Sequence, residues 1–291
     1  MTKTRAAAAF LAAPLLLAAA CGGGSGTATG SATAAGSSAG GAPGSSVTAG
    51  DIRSAKAGQE VDKNAFVEAV SKGTAAAKTY AMDLKMDMSG QQTGTMTMTG
   101  VADVSDQANP KMKMLMEVPG AGGASSPGSI EMLLVDRVMY MKMPGSAGKY
   151  YKMTMDEVTK ISGQDLTQAM NPTAQLETMK SAVRQVTFVG EEDVDGVETR
   201  HYKASIDTAG LTPTPSGAAG SPSSMSLPSQ MPYDIWLDEE NRTRKFTMEM
   251  AIQGMTVTYD GTLDKFGEPV SIAAPAASQV QPMPQGAVPS S

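Results

Sequence analysis

Met82-Asp-Leu-Lys-Met-Asp-Met88, Thr95-Met-Thr-Met-Thr-Gly-Val-Ala-Asp-Val104 and Lys111-Met-Lys-Met-Leu-Met-Glu-Val118 are the stretches that decide the fold. In each, apolar and polar residues alternate. Met82, Leu84, Met86 and Met88 share one parity, as do Met96, Met98, Gly100, Ala102 and Val104. Met112, Met114, Met116 and Val118 form a third set, and Leu115 is the one exception. Successive side chains of a strand point to opposite faces, so each run builds one apolar and one mostly polar face. Such runs, joined by polar or glycine-rich turns, predict an antiparallel meander with one face turned away from water. What covers that face decides what the protein does.

The pattern extends outward from these strands. Ile130, Met132 and Leu134 predict a further strand that turns near Asp136-Arg137 and returns over Val138 to Met143, and Lys149 to Met153 predicts another. Upstream, Phe66, Ala69, Val70, Gly73 and Ala77 fall at helical spacing, with Asp62 or Asn64 as N-cap and Gly73 as a weak point in the middle. Between Asp156 and Arg184 the period is again helical. Val158, Ile161, Leu166 and Met170 mark one helix, and Asn171-Pro172 opens a second that carries Leu176, Met179 and Val183. Strands resume over Val186 to Gly190 and Val197 to Asp207, around the turn pair Asp195-Gly196. A last meander runs Tyr233 to Leu237, Arg244 to Ile252 and Met255 to Leu263. Arg244, Phe246, Met248, Met250 and Ile252 share one face of its middle strand. About nine or ten strands and two or three helices make this an α+β chain. The expected architecture is an antiparallel sheet whose apolar face is partly covered by helices.

Composition excludes several functions. The 291 residues carry a net charge of −6, and loss of Lys3 and Arg5 with a leader segment would make it −8. Nucleic-acid binding rests on neutralising phosphates with a basic surface, and a purely electrostatic grip on anionic lipid needs the same sign. One cysteine excludes an internal disulfide, and one histidine leaves little for a zinc site or a catalytic triad. No Gly-x-Ser-x-Gly elbow is present, and Gly122-Gly123 lacks the strand–glycine–helix order that cradles phosphate. The chain therefore reads as a non-enzyme without metal or cofactor.

Lys3 and Arg5, an apolar run from Ala6 to Ala20, and Cys21 followed by Gly22, Gly23 and Gly24 describe a secretory signal peptide over residues 1–20. The run is too short to span a bilayer, and Pro14 interrupts it. A sole cysteine at this place resembles the lipobox of bacterial lipoproteins, with Ala18 where that pattern has leucine and Leu17 one position further back. The resemblance implies that Cys21 becomes the first mature residue and carries a diacylglycerol; two acyl chains are enough for stable anchoring. The alternative is cleavage after Ala18 to Ala20, with Cys21 left as a free thiol.

Residues 21–60 follow as a Gly/Ser/Ala/Thr linker that cannot bury enough surface to order itself, a coil spanning roughly 35 Å. The folded domain is expected over residues 61–272, with flexible inserts at 120–129 and 208–230, and a disordered tail over 273–291.

Three motifs carry a further resemblance: Val189-Gly-Glu-Glu-Asp-Val-Asp-Gly-Val-Glu-Thr-Arg-His-Tyr202, Pro232-Tyr-Asp-Ile-Trp-Leu-Asp-Glu-Glu-Asn-Arg242 and Phe266-Gly-Glu-Pro-Val-Ser-Ile-Ala-Ala-Pro275. With the helix and first strands, they resemble the actinobacterial lipoproteins of the LppX/LprAFG type over roughly residues 64–275. That resemblance implies a strongly curved antiparallel half-barrel with helices packed on its concave face. It also implies a cavity between sheet and helices that takes multi-acyl lipids. The two inserts and the high methionine content depart from the family pattern.

Methionine is flexible and polarizable and is over-used where one surface accepts varied apolar partners. Met96, Met98, Met114, Met116, Met132, Leu134, Met248 and Met250 are therefore candidates to line a pocket for acyl chains. The plainer reading makes them core residues that fill space. His201, beside Tyr202, lacks a second ligand and reads as a surface or packed residue. Glu191-Glu192-Asp193 and Asp238-Glu239-Glu240 read as solvated turn residues rather than paired acids or calcium ligands. Tyr233 and Trp236 read as core aromatics, with a ligand mouth as the alternative. The functional expectation is a monomer on the extracytoplasmic face of the cell membrane, lipid-anchored, that carries an acylated lipid or glycolipid. A solid-cored cell-envelope module that binds another protein is the competing expectation.

Overall fold

The computed structural model describes residues 52–90, 93–106, 109–118, 128–155, 157, 172–208, 229–252 and 254–282. Among them are thirteen strands: β1 (Glu60–Val61), β2 (Thr79–Ser89), β3 (Gly94–Asp103), β4 (Lys111–Val118), β5 (Gly128–Val135), β6 (Val138–Lys142), β7 (Tyr150–Thr154), β8 (Val183–Val194), β9 (Val197–Asp207), β10 (Gln230–Leu237), β11 (Thr243–Ile252), β12 (Met255–Asp264) and β13 (Val280–Pro282). Two α-helices accompany them, α1 (Lys63–Ala77) and α2 (Pro172–Ala182), with a 3-10 turn at Ile52–Ser54. All thirteen strands lie in one open sheet, in the order β1-β8-β9-β10-β11-β12-β2-β3-β4-β5-β6-β7-β13. Every pairing is antiparallel except β13 with β7.

Two meanders, β8–β12 and β2–β7, are thus joined along a β12/β2 seam that runs from Thr256↔Ser89 to Asp264↔Ala81. The sheet curves into an open half-barrel with the helices on its concave side. Strand order explains why a helix must lie there. α1 follows β1 at one edge and precedes β2 in the middle of the sheet, so it crosses the face between them. The tight hairpins have the turn chemistry such connections need. Asp136 and Arg137 have φ of 52° and 59°, Asp195 and Gly196 have 53° and 80°, and two left-handed central residues match the twist of the flanking strands.

α1 begins at Asp62, whose carboxylate accepts from the Ala65 amide at 2.8 Å, as an N-cap should. It buries Phe66, Val67, Val70, Gly73, Thr74 and Ala77 and packs on β8, β11 and the 3-10 turn. α2 lies against α1 and β8, and its Leu176 and Met179 pack at the margin of the main core. That core runs across the concave side from Val186 and Phe188 to Tyr80, Leu84 and Ala102. A second, smaller cluster lies on the other face of the sheet. Leu133, Val135, Tyr140 and Tyr150 are covered there by Val138, Ile272 and Val280.

Several expectations need correction. The linker does not extend to residue 60: Ile52 and Ala55 are buried in the main core, and Arg53 donates to the Glu239 carbonyl. The tail does not begin at residue 273, because β13 pairs with β7 and Val280 closes the smaller cluster. Val183, read as the last apolar position of a helix, is the first residue of β8 and is paired with Ile206. The sheet has thirteen strands rather than nine or ten; the extra ones include the two-residue β1 and three-residue β13, too short for any alternation to register. The signal peptide with Cys21, the helix over Val158 to Met170, and most of the inserts at 120–129 and 208–230 lie outside the described residues.

Candidate functional site: the methionine face

The register turns the sequence alternation into rows that run across the sheet. One row is Phe188, Tyr202, Ile235, Phe246, Gly261, Leu84, Met98, Met116 and Ile130, crossing from β8 to β5. The next is Val186, Ala204, Tyr233, Met248, Tyr259, Met86 and Met96. On the other side lie Leu263, Met82, Gly100, Met114, Met132, Met141 and Tyr151. The concave side is therefore apolar from β8 to β7, and its chemistry is graded. The β8–β11 end is aromatic and aliphatic and sits under α1; the β2–β7 end is mainly methionine.

The two ends differ in packing. Val67 of α1 and, beneath the helix, Val186, Tyr202 and Ile235 are at most 1% exposed. Met96, Met98, Met116, Met132 and Leu134 are only half-buried, as are Met139, Met141 and Met153 beyond them. Two glycines let side chains lie flat across this face. A Cβ on Gly100 would stand 3.0 Å from Met114 Cγ, and one on Gly261 would stand 2.3 Å from the Phe246 ring. Met114 is consequently buried over β3 and Phe246 over β12.

Of the eight candidate lining residues, Met96, Met98, Met114, Met116, Met132 and Leu134 are contiguous on β3, β4 and β5. Met98 faces Met116, and Met114 faces Met132. Met248 and Met250 lie on the same side but on β11, and they are buried in the main core. Tyr259 and Met86 link Met248 to Met96 in one row.

The polar groups on this side are mostly tyrosines, and they are not equally satisfied. The Tyr202 hydroxyl donates to the Ile52 carbonyl at 3.2 Å and accepts from Arg200 Nε at 3.2 Å. The Tyr233 hydroxyl is buried with no hydrogen-bond partner. Burial pushes the Tyr80 phenol up to about 12 and raises those of Tyr233 and Tyr259, so all three stay neutral hydroxyls.

The opposite face carries the charges. His201 stacks on Trp236 with ring centroids 4.2 Å apart, and its two nitrogens meet Glu192 at 2.9 Å and Asp234 at 2.7 Å. Trp236 Nε1 donates to Glu192 at 2.8 Å. That indole N–H, and after it His201, hold the Glu192 carboxyl below the usual carboxylate range. His201 is thus packed, as expected, while Glu192 is a hydrogen-bonded member of its cluster rather than a free turn residue. Trp236 and Tyr233 cannot share a ligand mouth: they are three residues apart on β10 and point to opposite faces. Glu131 accepts from Lys142 at 2.6 Å; burial works against its charge, but Lys142 and then Tyr150 hold its pKa low. A shallow depression of about 190 Å³ is lined by Asp83, Leu84, Lys85, Thr97, Met98, Thr99, Asp260 and Thr262.

The expectation that Asp238 is a solvated turn residue is wrong. Its side chain is 2% exposed and accepts from Arg242 Nε and Arg244 Nε, both at 2.8 Å. It also accepts the amides of Glu240 and Arg242. Both guanidinium groups lie over the Phe266 ring. This is a structural lock on the β10–β11 turn. Among the described residues, no cluster of His, Cys, Asp and Glu has the arrangement of a metal site.

Residues 63–207, from α1 through β9, match a family of unknown function (DUF6612). No curated protein matches the chain. Among solved structures, it is similar to LprF from Mycobacterium bovis, with a TM-score of 0.46 and 17% identity, covering 74% of this chain and 97% of that one. It is also similar to the Mycobacterium tuberculosis lipoprotein LppX, with a TM-score of 0.43 and 14% identity, over 73% of this chain and 100% of that one. A LolA superfamily protein from Nitrosomonas europaea is similar at a TM-score of 0.26 and 7% identity, over 71% and 94% of the two chains. LprF and LppX are of the type that the three sequence motifs resemble.

Proposed function

We propose that this chain is a lipoprotein, anchored through Cys21 on the extracytoplasmic face of the cell membrane. It binds an acylated lipid or glycolipid against the methionine end of its sheet and acts, as a monomer, as the carrier or chaperone of that molecule. One observation carries the reading: rows of mainly apolar residues cross the concave side, sealed by α1 over β8–β11 but lined over β3–β5 by half-buried methionines. Acyl chains laid along Met96, Met98, Met116, Met132 and Leu134 leave water at about 0.8 kcal/mol per buried methylene, so a 16-carbon chain half-covered gains roughly 6 kcal/mol. Methionine adapts to chains of different length and branching. No catalytic group is needed.

Native mass spectrometry of the protein purified from its own host, without detergent exchange, tests the reading. Co-purified species that dissociate as acylated molecules are the expected result. A clean apo mass at full occupancy overturns it in favour of a solid-cored module that binds another protein. The anchor has a separate test. Cys21→Ser is expected to move the secreted protein from the membrane fraction to the soluble fraction, and retention on the membrane would defeat the anchor.

A further inference from the structure

We infer that the Tyr233 hydroxyl is a binding group for the ligand's acyl linkage, donating a hydrogen bond to the carbonyl oxygen of an ester- or amide-linked chain. The inference rests on the proposed lipid-binding role and adds the chemistry of what is bound. Tyr233 is 7% exposed, and its hydroxyl has no partner. Leaving a buried hydroxyl unpaired costs about 1–3 kcal/mol, and native interiors seldom keep one without a reason. The contrast with Tyr202, one strand away and bonded to both Ile52 and Arg200, shows that this side of the sheet can satisfy a tyrosine. Around Tyr233 it does not. The cross-strand neighbours are Ala204 and Met248, and the ring packs on Phe246 with centroids 6.0 Å apart. None of these offers more than a weak sulfur acceptor.

Among the described residues no partner is in place, so the hydroxyl is free to take one from a ligand, and the surroundings select its type. An apolar enclosure disfavours a carboxylate or phosphate, whose charge costs several kcal/mol to bury. A neutral carbonyl oxygen carries no such penalty. The position fits the acyl chains as well. From Tyr233 the row continues through Met248, Tyr259 and Met86 to Met96, where the half-buried methionines begin. Those four strand steps of about 4.8 Å add up to roughly 19 Å along the sheet. Met248 separates Tyr233 from Tyr259, and an unbranched thioether side chain can swing aside to admit a chain.

The test uses the full chain carrying Cys21→Ser, so that the added lipid is the sole acyl ligand. Equilibrium partition of radiolabelled methyl palmitate and of octadecane is measured between the protein and phosphatidylcholine vesicles. Tyr233→Phe keeps the ring and removes only the unpaired oxygen, so its thermal midpoint is expected to be unchanged or slightly raised. It is expected to weaken methyl palmitate binding about tenfold, the equivalent of one hydrogen bond, and to leave octadecane binding unchanged. Equal binding of the ester by both forms overturns the inference while leaving the lipid-binding role intact. If neither compound binds the chain with tyrosine in place, the lipid-binding role falls and takes this inference with it.

Discussion

Replacing Gly73 by alanine lowers the thermal midpoint of the module by about 10 °C, the equivalent of roughly 3 kcal/mol in a domain of this size. For an ordinary helix interior the opposite sign holds, since alanine is favoured over glycine by about 1 kcal/mol. Here the residue sits against backbone. A Cβ on Gly73 would stand 2.3 Å from the Asn241 carbonyl oxygen, 2.4 Å from its carbon and 2.7 Å from the Glu240 oxygen. None of these atoms is the end of a flexible side chain. Either α1 lifts off the sheet or the β10–β11 turn opens, and each exposes part of the core. Thermal melts followed by circular dichroism read the effect, and an unchanged or higher midpoint would show that α1 does not seat on that turn.

Asp238→Ala should cost about 3 kcal/mol, because breaking a buried ion pair strands the surviving charges. In this case they belong to Arg242 and Arg244, which are 22% and 18% exposed. That partial access to water keeps the expected loss at the low end of the range for buried pairs. Two amides of the turn lose their acceptor at the same time. Denaturant midpoints of Asp238→Ala and Asp238→Asn measure it, with the amide expected to recover part of the loss. A midpoint equal to that of the unaltered chain would make the pair an ornament of the surface. Gly73 and Asp238 act on one turn, so the double variant should lose less than the sum of the two.

Much of the sheet was legible because one face is apolar and the other is not. The alternation of Met82 to Met88, Met96 to Val104 and Met112 to Val118 mapped onto β2, β3 and β4 with the expected parity. Leu115, which broke the pattern, is one of two large apolar side chains left exposed among the described residues. Val183 misled because it stands seven residues after Leu176 and four after Met179, a spacing a helix and a new strand both allow. Ile52 and Ala55 were lost in a low-complexity background, although Ile52 is a bulky apolar residue in that stretch and was the available signal. The lock around Asp238 was hidden behind a run of acids that also describes an ordinary turn. Arg242 and Arg244, spaced by two where the chain enters β11, were the clue. For the candidate site, sequence parity grouped the lining residues, but only pairing across strands separated Met248 and Met250, which are packed, from the looser set on β3 to β5. That Tyr233 has no partner follows from its three-dimensional neighbours and leaves no trace in the chain itself.

The β12/β2 seam has a consequence for how the molecule is made. Met86 and Tyr259 touch across it, yet about three quarters of the folded chain lies between them. Contacts so distant in sequence form late, because a large loop must close before they give anything back. Each meander can assemble on its own from neighbouring hairpins, but until they zip together each shows an oily flank to its surroundings. A newly made chain therefore passes through a vulnerable interval whose length is set by strand order rather than by any one residue. Holding partners or quick tethering would be most useful at that moment.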